Sequence, residues 1–189
     1  MTLETLADKE DVKKIFGRDL TPDEEARVGA ILDKASELFR SASGQQFTEG
    51  RSTVRLKVNG GRVYLRQRKV AEVHSVRDDT GRTVPHTLLG QWLTVPRRSH
   101  SFVIVDYSHG GDVPDLVRLT IADVARQVLS INPNAAEGVT QYSETTGPFT
   151  DQYTYATWAQ GGSTRLAPDD LAVAQSFKVK IPNVWVQSA

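Results

Sequence analysis

The stretch from Phe102 to Ile131 constrains the fold most strongly, because no other segment of the chain is as apolar. It begins as a strand, breaks at Gly110-Gly111 and continues as a helix that we expect to open at Pro114. Proline suits the first helical position, where its missing N–H would have no partner. The apolar arc of this helix is wider than a surface helix requires, which predicts a helix covered on most sides.

Four helices are predicted from capping residues and amphipathic spacing, at about 8–16, 22–43, 114–131 and 168–179. Their starts combine capping side chains or prolines with acidic residues in the first turn, which complement the helix dipole. The apolar residues of 22–43 follow a one-sided helical spacing. We therefore expect this face to pack on the helix at 114–131.

Residues 52–107 are predicted to be β-structure, because short alternating runs are separated by turn signals such as Asn59-Gly60-Gly61. We expect about five or six short antiparallel strands in a small sheet or open barrel. This β insertion, spanning 51–107, lies between the two long helices in the sequence. The predicted fold class is therefore α+β, a small helical bundle with an inserted antiparallel β unit.

Residues 132–166 lack a sustained period but keep several aromatic side chains, which argues against plain disorder. Weak strands at about 139–144 and 152–155 predict a projecting hairpin arm within 139–158. The arm either contacts a neighbouring molecule or packs internally. Its candidate contact residues are Tyr142, Phe149, Tyr153, Tyr155 and Trp158.

The C-terminal residues 182–189 have the pattern of an extended tail. The apolar run Val184, Trp185 and Val186 is unusual for a segment exposed to water. It predicts a strand that closes an edge of the home sheet or adds to the sheet of a partner.

Charge is unevenly distributed although the net charge is zero. Residues 1–50 contain 7 basic and 11 acidic side chains, residues 51–107 contain 11 and 4, and residues 108–189 contain 5 and 8. The basic middle third indicates either a polyanionic partner or a solvated, arginine-rich β surface. Arg97 and Arg98 are candidates to face phosphate, and an exposed hairpin tip explains them equally well.

No catalytic or metal-binding pattern is evident in the sequence. The chain has no cysteine, its four histidines lack metal-ligand spacing, and its glycine pairs lack phosphate-loop spacing. Asp112 and Asp115 are explained by their place at a helix start. His109 is the most suggestive histidine, and we expect it to hydrogen-bond locally in a turn. The sequence thus predicts a protein that is not an enzyme and uses no cofactor, with no membrane span.

Short motifs occur in a distinctive order along the chain. They are Leu-Thr-Pro-x-Glu-Glu-Ala at 20–26, Ser-Gly-Gln-x-Phe at 43–47, Tyr-x-His-Gly at 107–110, Asp-Val-Pro-Asp-Leu-Val at 112–117, Gly-Val-Thr-Gln at 138–141 and Pro-Asp-Asp at 168–170. Together they resemble the head-to-tail adaptor (head–tail connector) proteins of long-tailed bacteriophages, particularly those infecting actinobacteria. The resemblance spans nearly the whole chain, as a single adaptor domain of residues 1–189.

The resemblance implies a structural virion protein at the head–tail junction, assembled in the host cytoplasm. It implies a homo-oligomeric, dodecameric ring between the portal protein and a head-closure (stopper) or tail-completion protein, with DNA passing through the lumen. The arm would then contact a neighbouring subunit or the next ring, and the tail would contact the portal. Part of the arginine-rich β unit would face DNA or an acidic ring surface.

Three alternatives to the adaptor stay open at this point. The first is a nucleic-acid-binding module that uses the arginine-rich β region. The second is a small hydrolase or nuclease whose acids or histidines the fold brings together. The third is another neck protein, a stopper or tail terminator. The helix–β–helix order favours an adaptor over a stopper, since stoppers resemble small β-barrels.

Overall fold

The computed structural model describes residues 3–96, 101–131, 141–146, 149–154 and 163–179. The fold is α+β, as predicted. The helices in these ranges are α1 (Lys9–Phe16), α2 (Pro22–Ser43), α3 (Asp115–Leu129) and α4 (Pro168–Ser176). The strands are β1 (Gly50–Lys57), β2 (Arg62–Tyr64), β3 (Val70–Arg77), β4 (Thr87–Leu89), β5 (Trp92–Thr94), β6 (Phe102–His109), β7 (Gln141–Thr146) and β8 (Phe149–Thr154).

The chain divides into two compact units, and each is formed by two separate segments. Unit 1 comprises Met1–Ala42 and Pro114–Ser176, and unit 2 comprises Ser43–Val113 and Phe177–Ala189. The helices and the β7–β8 pair belong to unit 1, while β1 to β6 belong to unit 2. The β insertion predicted between the two long helices is therefore present as the main segment of unit 2.

The starts of α1 and α2 are fixed by reciprocal capping. The sequence predicted Asp8 and Thr21 as capping residues and reciprocal capping for α2 only. The Asp11 N–H donates to the Asp8 side chain at 2.9 Å, and the Asp8 N–H donates to the Asp11 carboxylate at 3.3 Å. The Glu24 N–H donates to the Thr21 hydroxyl at 3.3 Å, and the Thr21 N–H donates to the Glu24 carboxylate at 2.8 Å. Each pair satisfies two N–H groups that the first turn leaves without helical partners.

The apolar face of α2 is buried, as predicted. The N-terminal residues cross this helix, where the Leu6 N–H donates to the buried Ser36 hydroxyl at 3.0 Å. The backbone closest to α3 is that of α1 rather than that of α2. The buried apolar residues of α2 are Val28, Ile31, Leu32, Ala35 and Phe39.

The helix α3 is less enclosed than predicted and begins one residue later. Pro114 has φ −58° and ψ 139° and is therefore the N-cap residue rather than the first helical residue. Leu116 and Leu119 are 53% and 46% exposed. The apolar arc is wider than the face that the neighbouring elements cover, so apolar width alone overestimated the burial. The buried residues are Val117, Ile121, Ala122, Val124, Ala125 and Val128.

The described residues of unit 2 form two three-stranded antiparallel sheets rather than one, with strand orders β1-β6-β3 and β2-β5-β4. The turn predicted at Asn59 is present, since Asn59 and Arg62 exchange backbone hydrogen bonds of 2.8 and 2.9 Å. Beyond it β1 and β2 enter different sheets, because β6 and β5 are their partners. Within the predicted β region, Thr83 forms only an isolated bridge to Arg77.

Both sheets of unit 2 contribute to one hydrophobic core, and burial alternates residue by residue along β6, from Phe102 to His109. This core is formed by Leu56, Val63, Leu65, Val76, Val84, Leu93, Val95, Val103, Val105 and Tyr107.

The helix α4 ends at Ser176 rather than at residue 179. Phe177 was expected on the apolar edge of this helix, but it follows the helix and belongs to unit 2. There its ring meets the Phe47 ring edge-on, with centroids 5.4 Å apart. An aromatic pair in unit 2 thus replaces the last predicted turn of helix.

The predicted hairpin arm is confirmed where the structure describes it. β7 and β8 pair antiparallel from Gln141↔Thr154 to Thr146↔Phe149. They form a two-stranded sheet without a third strand among the described residues. None of the described helices is long and apolar enough to span a membrane.

Candidate functional site

The junction between β6 and α3 is hydrogen-bonded to two residues whose backbone has a positive φ. The Gly110 N–H donates to the Lys69 carbonyl at 3.1 Å, and the Gly111 N–H donates to the Phe47 carbonyl at 3.1 Å. Phe47 and Lys69 are the described non-glycine residues with positive φ, at 63° and 55°. Such strain persists only where the surrounding structure fixes it.

Two glutamine side chains fix the loop 66–69 against the segment that follows α2. Gln45, which is 4% exposed, donates to the Arg66 carbonyl at 3.0 Å and accepts the Arg68 N–H at 2.8 Å. Gln67 accepts the Gln46 N–H at 2.8 Å and donates to the Gly44 carbonyl at 3.2 Å. The Ser-Gly-Gln-x-Phe motif therefore builds the fold of unit 2, and the amides of Gln45 and Gln67 are used in it.

His109 is a buried strand residue rather than a turn residue. Its Nε2 lies 2.8 Å from the Ser52 hydroxyl, across the β1–β6 ladder. The expectation of a local hydrogen bond is therefore wrong, since strand pairing supplies a partner 57 residues away. Burial lowers the pKa of the His109 imidazole, because the charged form loses its hydration.

The Ser52–His109 pair has the spacing of a nucleophile and its base, but it lacks the other parts of such a site. The His109 Nδ1 is buried without a hydrogen-bond partner, so no carboxylate orients the ring. His109 itself is only 2% exposed. We interpret the pair as an interior hydrogen bond of unit 2.

The junction glycines do not form an anion site. Both N–H groups already donate to backbone carbonyls, as described above, so neither is available to a phosphate. The Asp112 carboxylate lies 3.9 Å from Lys69 Nζ and places negative charge at the same point. The strained backbone therefore serves the connection between β6 and α3.

The described residues contain no group of three or more His, Asp or Glu side chains placed to hold a metal ion. A shallow groove of about 260 Å³ lies in unit 1, between the end of α2 and the segment that leads into α4. Its lining has one charged side chain, that of Arg165, and no acid or histidine. The lining residues are Leu38, Ser41, Ala42, Thr164, Arg165, Leu166 and Leu171.

No protein-family model and no curated protein sequence matches this chain.

The candidate functional features are therefore two exposed surfaces of the chain itself. The first is the β7–β8 hairpin. Gln152, Tyr153 and Thr154 are all exposed, and consecutive strand residues point to opposite faces, so both faces of β8 meet solvent. Tyr153 is 52% exposed and stands opposite Tyr142 in the backbone register. Phe149 begins β8, while Tyr155 and Trp158 lie outside the described residues.

The second surface is the outer face of the β1-β6-β3 sheet, which we call the basic sheet face. In the strand register, Arg55 and Arg77 flank Ile104, and Lys57 stands opposite Phe102. The three cationic side chains are exposed, and the two apolar ones are half-buried.

The cations of the basic sheet face differ in their partners. The Arg55 guanidinium lies 3.9 Å from the Phe102 ring centroid and is also hydrogen-bonded to Asp79 at 2.8 Å. That contact lowers the pKa of the Asp79 carboxyl. Within the described ranges, Lys57 and Arg77 have no carboxylate partner. They remain available to an external anionic group.

Most of the sequence-predicted contact residues lie outside the described part of the chain. The candidate DNA-facing residues Arg97 and Arg98 lie outside the described residues, as do the tail residues Val184, Trp185 and Val186. The basic sheet face was not recognised from the sequence, because its members come from three strands that are adjacent only after pairing. Alternation in β1 placed Arg55 and Lys57 on one face, but nothing local indicated β6 as the neighbour.

Proposed function

We propose that this protein is a structural virion subunit, a head-to-tail adaptor that forms a ring between the portal protein and the head-closure or tail-completion proteins. In this role DNA passes through the lumen of the ring. The observation that carries the proposal is the β7–β8 hairpin. It combines an exposed aromatic side chain with two solvent-facing surfaces.

A two-stranded hairpin is marginally stable in water unless a third strand or a packed face supports it. The described chain offers β7 and β8 no third strand. A neighbouring subunit or an adjacent ring would supply the missing cover, and Tyr153 is a suitable contact because tyrosine is enriched at protein interfaces.

The positions of the motifs also support the proposal. The residues on which the family resemblance rests include Gln45, Tyr107 and Gly110, and each makes a contact that determines the fold of unit 2. The Tyr107 hydroxyl accepts the Gln67 N–H at 3.3 Å, for example. Motifs of this kind mark the architecture on which the family resemblance rests, so they support the adaptor role by fold-level analogy.

The direct test is to measure the size of the purified chain alone and mixed with the portal protein of the same phage. Light scattering after size-exclusion chromatography would detect the complex, and electron microscopy would show whether it contains a ring. We expect a ring bound to the portal. Absence of any complex at micromolar concentrations of both proteins would reject the adaptor role.

Three variants assign the contacts within that complex. Tyr153→Ser changes one exposed side chain of the hairpin and is expected to weaken subunit–subunit or ring–ring contact. Deletion of residues 183–189 is expected to weaken portal binding. Leu89→Ser, at a 77% exposed position of β4, is the control. It should change neither the contact between subunits or rings nor the binding to the portal. Undiminished portal binding after the deletion would contradict the role proposed for the tail.

A second candidate is a nucleic-acid-binding module, which the unpaired Lys57 and Arg77 of the basic sheet face favour. It predicts binding of the isolated protein to free DNA with a steep salt dependence, in proportion to the number of phosphates contacted. A stopper or tail terminator differs from an adaptor in its position within the neck. Locating the chain in a reconstruction of the particle neck would separate those roles.

A further inference from the structure

The two compact units carry opposite charge, although the chain as a whole is neutral. Unit 1 contains 10 basic and 17 acidic side chains, and unit 2 contains 13 basic and 6 acidic ones. Their net charges are therefore −7 and +7. Complementary charge guides association and selects its orientation, so unit 2 of one copy is attracted to unit 1 of another copy while like units repel each other.

The basic sheet face is the part of unit 2 best suited to such a contact. Its half-buried centre, Phe102 and Ile104, is flanked by three exposed cations, two of which have no carboxylate partner in the described chain. This arrangement of an apolar centre and a charged rim is typical of protein interfaces.

Unit 1 presents a complementary surface on α2, which we call the α2 stripe. Its residues follow one another at alternating spacings of three and four, so they share one side of the helix. All are exposed, and they lie opposite the buried apolar face of α2. The α2 stripe consists of Asp23, Ala26, Ala30, Asp33 and Glu37.

The charges of the α2 stripe are largely available to a partner. Asp23 and Asp33 have no cationic partner among the described side chains, and Glu37 is 3.8 Å from Lys34 at the margin of the stripe. Ala26 and Ala30 occupy the middle, where their small side chains allow a partner to approach the helix closely.

The two surfaces also agree in length. The α2 stripe covers fourteen residue steps, about 21 Å at the helical rise per residue. On β6, the outer face from Phe102 to Ser108 covers six residue steps, about 20 Å at the rise of a strand. This length extends beyond the basic sheet face and includes Asp106, whose carboxylate is paired with Arg51. A helix laid along β6 would therefore place acidic side chains within reach of the cations on β1 and β3.

We propose that the basic sheet face of one copy docks on the α2 stripe of a second copy, so that copies associate head to tail. This inference rests on the proposed ring function and names the surfaces that would join its subunits. A contact between two different patches is heterologous, and it closes into a ring when its rotation divides a full turn. The contact contains few apolar side chains, so it should be weak for two copies and reinforced in a closed ring.

The test is a charge-reversal experiment on the full chain, read by sedimentation velocity in low salt. Lys57→Glu with Arg77→Glu makes the sheet face acidic, and Asp23→Lys with Asp33→Lys makes the α2 stripe basic. Each double variant alone should self-associate at least tenfold more weakly than the unmodified protein. In an equimolar mixture, the acidic sheet face of one variant meets the basic α2 stripe of the other, and the two unreversed surfaces meet each other. Both contacts join opposite charges, so association should return to within about threefold of the original affinity.

The matched control is Arg62→Glu with Arg82→Glu, which makes the same change in net charge at two exposed positions outside the basic sheet face. It should reduce self-association less than threefold. Circular dichroism and urea unfolding show that each variant is folded. Raising the salt concentration should weaken the association of the unmodified protein, because exposed charges are screened.

Several results would overturn the proposal. They are failure of the mixture to recover, an equal loss in the control variant, or no self-association of the unmodified protein under chemical cross-linking. Loss of DNA binding without loss of self-association in the sheet-face variant would instead assign that face to nucleic acid.

The docking inference and the adaptor role can fail separately. Rings that form normally on the portal with reversed surfaces would refute the docking inference alone. Self-association that is lost and then recovered in the mixture, combined with no portal binding, would refute the adaptor role alone.

Discussion

The substitution Gly110→Ala tests the backbone junction most directly. Gly110 has φ 86°, and an added Cβ would lie 2.0 Å from the Thr48 carbonyl oxygen and 2.6 Å from its carbon. Both atoms belong to the backbone, so no side chain can rotate away. The positive φ alone costs an alanine about 1–2 kcal/mol, and displacing packed neighbours adds about 1–3 kcal/mol.

The structure provides a matched control at Gly81. This glycine has φ 85°, and a Cβ built on it would meet nothing within 4 Å. Gly81→Ala therefore carries the same conformational cost, about 1–2 kcal/mol, without the steric clash. The difference between their free energies of unfolding therefore measures the cost of the steric clash between position 110 and the Thr48 backbone.

The free energy of unfolding of both variants would be measured by urea titration with circular dichroism. We expect Gly110→Ala to lower it by about 2–5 kcal/mol. The free energy of unfolding falls by about 1–3 kcal/mol per molar urea, so the urea midpoints of Gly110→Ala and Gly81→Ala should differ measurably. Hydrogen exchange in β1 and β6 should localise the loss to unit 2. Equal midpoints for the two variants would refute the argument that Thr48 restricts this position.

Three further predictions concern His109, Gln45 and the hairpin. The pKa of His109 is lowered in the folded protein, so the unfolded state binds the proton first as the pH falls. The free energy of unfolding should therefore decrease below about pH 6.5, by at most about 1.4 kcal/mol per pH unit. In urea titrations, His109→Gln should show a smaller decrease between pH 7.5 and pH 5 than the unmodified protein. Gln45→Ala should lower the free energy of unfolding by about 2 kcal/mol, since two backbone groups lose their hydrogen-bond partners. A decrease below about 0.5 kcal/mol, roughly that of a surface substitution, would contradict the role of Gln45 in the fold. Replacing residues 141–154 by a short Gly-Ser linker should leave the thermal unfolding midpoint nearly unchanged, and a large decrease would show that the hairpin supports unit 1.

Elements whose determinants lie close together in the sequence were predicted well. The start of α2 depends on Thr21 and Glu24, three residues apart, and the β7–β8 hairpin pairs Thr146 with Phe149, which are also three residues apart. The turn at Asn59 was also correct, because Gly60 and Gly61 adopt positive φ without penalty. In each case the physical cause acts within a few residues.

Strand pairing and burial were predicted less well. β1 pairs with β6 rather than with β2, and this choice depends on which distant strand completes the core. The exposure of Leu116 and Leu119 depends on how much of α3 the neighbouring elements cover, which an apolar arc does not specify. Neither outcome has a local signal, because both are decided by partners far away in the sequence.

The sequence by itself determined the α+β class, the four helix positions, the insertion between the long helices and the hairpin arm, because propensity, capping and turn chemistry are local. Only the tertiary structure brought Phe47, Lys69 and Gly110 to one strained junction and paired His109 with Ser52. It also assembled the basic sheet face from β1, β3 and β6 and assigned the opposite charges to two compact units. These features depend on strand register and on the return of the chain from unit 2 to unit 1, and long-range burial of apolar surface selects both.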